Sequence, residues 1–315
     1  MTESSYHTPI MLREVLELLD PASCRVTVDG TLGGGGHSEG ILELLPRDGV
    51  HFGIDRDPDA IEAAGKRLAR FDNFHPIHGN FFDMKDLLHL NEFGADGADG
   101  ILLDLGVSSH QLDDGSRGFS YGTEAPLDMR MDKTYPFTAY DVVNGYPAAK
   151  LYEVIRDYGE ERFASRIANR IAAEREKAPI ETTTALAEIV KAAIPAAARR
   201  EGPHPARRTF QAIRIEVNGE LKGLKQAVKD AADLLNPGGV LCVITFHSLE
   251  DRIVKNLFRE LKDPCTCPPS APVCICGKKP EAQILTNKPI TPGERELADN
   301  PRSRSAKLRA IRKLP

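Results

Sequence analysis

The segment Asp29-Gly30-Thr31-Leu32-Gly33-Gly34-Gly35-Gly36-His37-Ser38 is the first whose residue types point to chemistry. Glycine lets a backbone turn sharply and approach a ligand closely. Where a helix follows such a loop, its first N–H groups lack partners inside the helix and are available to that ligand. An acid stands at about the right distance, roughly 20 residues on, to hold a ribose. It is Asp55, at the end of Gly53-Ile54-Asp55, and its carboxylate can accept from both ribose hydroxyls. Asp57 is the nearby competitor, and it is better placed to cap a helix starting at Pro58. Two nucleotide-binding patterns are excluded. A hydride-transfer fingerprint would want a third glycine where Ser38 stands, and no Gly-Lys-Ser/Thr follows as a phosphate loop requires.

Three more positions fit the same picture. Asp104 follows the apolar run Ile101-Leu102-Leu103, and Gln111 lies shortly after it. His78-Gly79-Asn80-Phe81 ends another strand-like run, and Phe81 is read either as a wall for a purine or as core. If these strands form an open parallel sheet, a ligand lies outside their carboxyl ends. Asp55, Asp104 and Gln111 then converge on one crevice with the glycine loop. Elsewhere, Cys265-Thr-Cys267 and Cys274-Ile-Cys276 flank a proline-rich stretch. They are read as a tetrathiolate zinc site or as four loop thiols, and no metal is assigned to the crevice.

The elements that must position these residues alternate along the first 140 residues. Helical periodicity is expected at Met11 to Leu19, Ser38 to Leu45 and Pro58 to Ala69. Strands are expected at Arg25 to Asp29, Val50 to Asp55, Phe74 to His78 and Gly100 to Leu105. Such alternation implies a parallel sheet with right-handed crossovers. From 141 to 208 the pattern turns helical, with Ala148 to Tyr158, Glu161 to Lys177 and Thr184 to Ala198, the last capped by Thr182 to Thr184. Phe210 to Val217 is ambiguous. The α/β pattern then returns with a helix at Gly219 to Leu235, a turn at Asn236-Pro237-Gly238-Gly239, a buried strand at Val240 to Phe246, a helix at Ser248 to Leu261 and a last strand at Ser305 to Lys313. The expected organisation is an α/β domain over 1–140 and 209–315, interrupted by a helical insertion over 141–208.

Glycine loop, acid after the second strand and Pro-Gly-Gly turn before a late strand resemble a class I S-adenosylmethionine-dependent methyltransferase. More specific strings narrow the resemblance. They are His7-Thr8-Pro9, Asp29 to Ser38, Asp55-Arg56-Asp57-Pro58, Leu103 to Ser109, Pro126 to Asp132, Arg208 to Ala212, Phe246 to Arg252 and Asn300-Pro301-Arg302-Ser303. In that order they resemble the bacterial 16S rRNA cytosine-N4 methyltransferase family, over about His7 to Lys313. The resemblance implies a Rossmann-like sheet with an inserted helical substrate-recognition domain. It implies S-adenosyl-L-methionine as cofactor, held by Gly35, Gly36, His37, Asp55, Phe81, Asp104 and Gln111. It also implies a cytosine of the decoding region of 16S rRNA as substrate, within the small ribosomal subunit, and leaves a homodimer open.

For the reaction, Asp104, or a carbonyl just after it, is expected to orient the amine. His110, Phe119 and Tyr121 are read as a stacking wall or as a solvated loop. His247 is read as a substrate contact or a local hydrogen bond, and Arg130 with Asp128 as an internal ion pair or an RNA contact. A DNA or small-molecule methyltransferase, and a cofactor-binding assembly factor without activity, remain alternatives.

The chain has 315 residues, 41 Lys+Arg, 46 Asp+Glu and a net charge of -5. That total argues at first against a polyanionic partner. Its distribution does not. Residues 1–140 carry 11 basic and 24 acidic groups, whereas 288–315 carry 8 and 3. The acid lies in the half that would hold a sulfonium cation. RNA contact is therefore expected at the insertion, with its Arg199-Arg200 and Arg207-Arg208 pairs, and at the C-terminus. No signal-like leader, membrane-length apolar run or disulfide framework is seen, so the expected location is cytoplasmic.

Overall fold

A computed structural model describes residues 9–200, 204–268, 273 and 275–315. Seven strands form one sheet: Val26–Asp29 (β1), Val50–Asp55 (β2), Phe74–His78 (β3), Ala98–Asp104 (β4), Leu235–Thr245 (β5), Ala282–Ile284 (β6) and Lys307–Lys313 (β7). Their order is β3-β2-β1-β4-β5-β7-β6. The first five are parallel, while β7 runs antiparallel to both β5 and β6. The central strands are covered on both faces, and accordingly Val28, Ile101, Leu102, Leu103, Val243 and Ile244 are fully buried. β3 is an edge strand, which is where Pro76 can sit without breaking a hydrogen-bond ladder.

The chain divides into two compact units, residues 1–106 with 223–315, and residues 107–222. The first contains the sheet. Helix Leu12–Leu19 packs Val15 and Leu19 on one face with Leu102, Val240, Ile244 and Leu308. A second cluster gathers Leu32, Leu42, Leu45, Ala64 and Leu68. Arg67, near the end of helix Pro58–Arg67, pairs with Glu39 of helix Gly36–Leu44 at 2.7 Å. At the amino ends of the strands, Asp99 Oδ2 accepts from the Arg25 and Val26 amides at 2.8 and 3.0 Å.

Asn236 to Gly239, expected as a turn before the strand, is a bulge inside β5. Ala98 pairs with Leu235 but Gly100 pairs with Val240, so the extra residues lie between those two registers. Asn236 Nδ2 holds the bulge by donating to Gly97 O at 3.1 Å and Asp99 Oδ1 at 2.8 Å. A Cβ at position 239 would stand 2.9 Å from the Asn236 carbonyl oxygen and 3.0 Å from that of Ala98, so only glycine fits.

The second unit is helical: Ser109–Asp113, Ala139–Gly145, Ala148–Gly159, Ala164–Arg175, Thr183–Ala193 and Arg207–Asn218. Thr182 accepts from the Ala185 amide at 3.2 Å and so caps its helix as expected. The ambiguous stretch at Phe210 is helical. Phe210, Ile213 and Val217 fall on one face and enter the same core as Leu151, Ile155, Ile167 and Leu186.

This unit extends beyond the expected insertion, 141–208, at both ends. Phe119, Leu127, Met129 and Met131 belong to its core. Asn218 ties the two extensions together, with Nδ2 donating to Met129 O at 2.7 Å and Oδ1 accepting from Met131 N at 2.8 Å.

Candidate active site

Strand order reverses between β1 and β4, and the carboxyl ends of those strands carry the site. The glycine loop leaves β1 there and is laced to its neighbours. Gly30 N donates to Leu102 O at 2.9 Å, and Leu32 N donates to Ile54 O at 2.9 Å. Gly33 N donates to Asp55 Oδ2 at 2.8 Å. Asp55 Oδ1 accepts from the Asp57 amide at 2.8 Å. The carboxylate is thereby oriented by two backbone amides and keeps lone pairs for a ligand. Asp57 caps its helix, accepting from Asp59 N at 3.1 Å, as its position before Pro58 suggested.

Gly35 is the N-cap of helix Gly36–Leu44 and has φ 77. A Cβ there would lie 3.2 Å from Ala64 Cβ and from Leu68 Cδ1. Gly35→Ala is therefore expected to cost about 1–2 kcal/mol of stability, combining left-handed strain with a tight contact. A denaturant titration showing an unchanged midpoint would contradict this. Gly36 opens the helix, where a Cβ would meet Pro9 Cγ at 2.9 Å.

His37 is buried. Its Nε2 lies 2.9 Å from the Ile10 carbonyl, which can only accept, so Nε2 carries the hydrogen. Its Nδ1 faces Asp104 Oδ2 at 3.7 Å. The Asp104 amide donates to Thr31 Oγ1 at 2.6 Å. Asp104 Oδ1 is buried with no hydrogen-bond partner among the described residues, while 24% of the side chain stays accessible. Phe81 starts a single 3-10 turn after β3, half-buried, with its Cβ beside Gly30. Gly35, Gly36, His37, Asp55, Phe81 and Asp104 thus all lie on the loop side of the sheet's carboxyl edge.

Gln111 belongs to the second unit, where it closes a turn with Ser108. Its Oε1 accepts from Ser108 N at 3.1 Å, and its amide donates to Ser108 Oγ at 3.2 Å, closing a capping box.

Sequence reasoning passed over Asp29 and Thr31. Asp29 is buried at the end of β1 and accepts from Ser38 Oγ at 2.8 Å and from Thr31 N at 3.1 Å. An acid closing a fully buried strand was the available signal. Burial raises the Asp29 and Asp55 carboxyls to about 6. It raises Asp104 to about 7, against the lowering influence of His37 and with further raising by Asp29 and Glu250. Three carboxyls short of positive charge make a site in which a cation is favoured.

Other expected contacts resolve locally. His247 caps helix Ser248–Lys262, its Nδ1 accepting from Glu250 N at 3.4 Å. Its Nε2 is 3.1 Å from Glu250 Oε1, but the geometry is not that of a hydrogen bond. Phe119 is core, and Tyr121 stacks on His204 at 4.5 Å. Arg130 makes a two-pronged ion pair with Asp128, at 2.9 and 2.7 Å.

A doubly wound parallel sheet with an antiparallel edge, a glycine loop after β1 and acids closing β2 and β4 define a class I S-adenosylmethionine-dependent methyltransferase. The residues fit that cofactor. The glycine loop permits close approach, Asp55 is preset for hydroxyl donors, and the unpartnered Asp104 oxygen and raised carboxyls suit a sulfonium and an ammonium. The MraW methylase family pattern matches residues 4–314, and the chain belongs to that family. It is 53% identical over 308 residues to ribosomal RNA small subunit methyltransferase H of Clostridium botulinum, covering 98% of this chain and 99% of that one. It is 52% identical over 311 residues, with the same coverage, to the protein of the same name from Ruminiclostridium cellulolyticum. Among the described residues, no helix is long and apolar enough to cross a membrane.

Proposed function

We propose that this enzyme methylates small-subunit ribosomal RNA, and specifically the exocyclic N4 amine of a cytosine in the decoding region of 16S rRNA. The observation that carries the reading is the identity of 53% and 52%, over 98% of this chain, to proteins named ribosomal RNA small subunit methyltransferase H. The cation-favouring crevice supports the chemistry. Gly35, Gly36, His37, Asp55 and Phe81 hold the cofactor.

S-adenosylmethionine supplies an electrophilic methyl group on a sulfonium. The chain's task is alignment and charge control. The cytosine amine's lone pair is delocalised into the ring and must be turned out of it. The Asp104 carboxylate accepts one amine N–H, orients the nitrogen and stabilises the charge that develops there. Transfer would form the C–N bond as the methyl–sulfur bond breaks and leaves a neutral thioether; the nitrogen, then cationic, loses a proton, which Asp104 takes. A carboxyl raised by burial toward neutrality is matched to that transfer. Thr31 fixes the backbone at Asp104 by accepting its amide, and His37 packs beside the carboxylate with Nδ1 3.7 Å from Oδ2. The base is flipped from its stack to reach the crevice. The helical unit, with Arg199, Arg200, Arg207 and Arg208, and the basic C-terminus position the RNA, and the substrate is the RNA within the small subunit.

Incubation with methyl-labelled cofactor and small subunits, free 16S rRNA or DNA tests the reading, followed by digestion to nucleosides. Label is expected in N4-methylcytosine at one rRNA position. Label in DNA alone would reject the reading. Cofactor binding with no transfer to any substrate would favour an assembly factor instead.

A further inference from the structure

Four cysteines cluster between positions 265 and 276, away from the crevice residues in sequence, and three of them lie among the described residues. Cys265 and Cys267 follow helix Ser248–Lys262, and Cys276 precedes β6. Their Sγ atoms all lie within 4.8 Å of one another, and the Cys265 and Cys276 sulfurs are 3.8 Å apart. A disulfide would require about 2.05 Å. Two thiolates on a tetrahedral zinc, with Zn–S about 2.3 Å, stand about 3.8 Å apart. None of the three is in a disulfide. The Ile275 amide donates to Cys267 Sγ at 3.3 Å. Among the loop's described residues, Val273 and Ile275 are 70% and 86% exposed. Three sulfurs converging beside exposed Val273 and Ile275 are what a structural metal explains.

We propose that Cys265, Cys267 and Cys276 bind one zinc ion as thiolates, a structural site that pins the segment between helix Ser248–Lys262 and β6. Cys274 lies outside the described residues and is not part of the assigned ligand set. Binding deprotonates the three thiols and releases three protons to solvent, with no change of oxidation state. Zinc suits the site because three soft sulfurs within one tetrahedral span select it over hard cations.

Elemental analysis of the full chain, purified under reducing conditions without chelator, tests the site. The expected result is about one zinc per chain, falling at least tenfold in C265S, C267S and C276S. X-ray absorption at the zinc edge is expected to show at least three sulfur neighbours. Should the serine variants misfold, a second measurement uses the intact protein. Removing the metal with a chelator is expected to speed proteolytic cleavage between 265 and 276 at least tenfold, and adding zinc back to reverse it. Less than a tenth of a zinc per chain, iron or copper in its place, a Cys265–Cys276 disulfide, or fewer than three sulfur neighbours would overturn the proposal.

Discussion

Asp104→Asn is expected to lower kcat/KM for methyl transfer by about 10²–10³, the scale of removing one preorganised group at a developing charge. The substitution is nearly isosteric, so His37 and Thr31 keep their places. What is lost is the acceptor that turns the amine and takes its proton. The same change is expected to stabilise the cofactor-free protein near neutral pH. Burial raises the Asp104 carboxyl to about 7 from an ordinary 3.8. Between those values the folded state holds a proton that the unfolded chain has released, so this group's contribution falls as pH rises through that window. Asparagine has no such dependence. Thermal melts should show the variant's advantage growing from pH 4 to pH 7 and then levelling. Turnover near wild type with cofactor bound would remove Asp104 from the mechanism, whatever the melts show.

The second large effect belongs to Asp55. Asp55→Ala is expected to weaken S-adenosylmethionine binding by about 10²–10⁴. Two charge-assisted hydrogen bonds to ribose hydroxyls are each worth about 1.5–3 kcal/mol. The loop also suffers, because the Gly33 and Asp57 amides lose the carboxylate that both donate to. At saturating cofactor, kcat should change less than tenfold, since Asp55 is assigned no contact with the reacting atoms. Calorimetric titration checks the first claim and steady-state kinetics the second. A dissociation constant within threefold of wild type would show that the ribose is held elsewhere.

These two residues were legible early, for a physical reason. An acid that ends a buried apolar strand is costly to bury unless something binds it, so Asp55 and Asp104 stand out from sequence. The strands they close were equally visible. Val50–Asp55 and Phe74–His78 appear with the expected bounds, because the strand pattern is local. The glycine loop was visible because consecutive glycines have few other uses.

Other expectations failed where the answer lay with a distant partner. Asn236 to Gly239 has turn composition, yet its conformation is set by its register against β4. Phe210 to Val217 fits strand or helix, and its packing in the helical core makes it a helix. Residues 107–140 read as part of the sheet domain until Phe119, Leu127 and Met131 are seen to share that core.

The sequence by itself determined the parallel alternation, the glycine loop, the acids that close two strands and the family, because each depends on residue types at short spacing. Only the tertiary structure decided the strand order, the antiparallel edge made by β6 and β7, and the lacing of Thr31 to Asp104. It alone brought three cysteine sulfurs within 4.8 Å of one another. It also decided that Asp104 titrates near 7, because desolvation is imposed by the whole fold and not by the residues beside it in the chain.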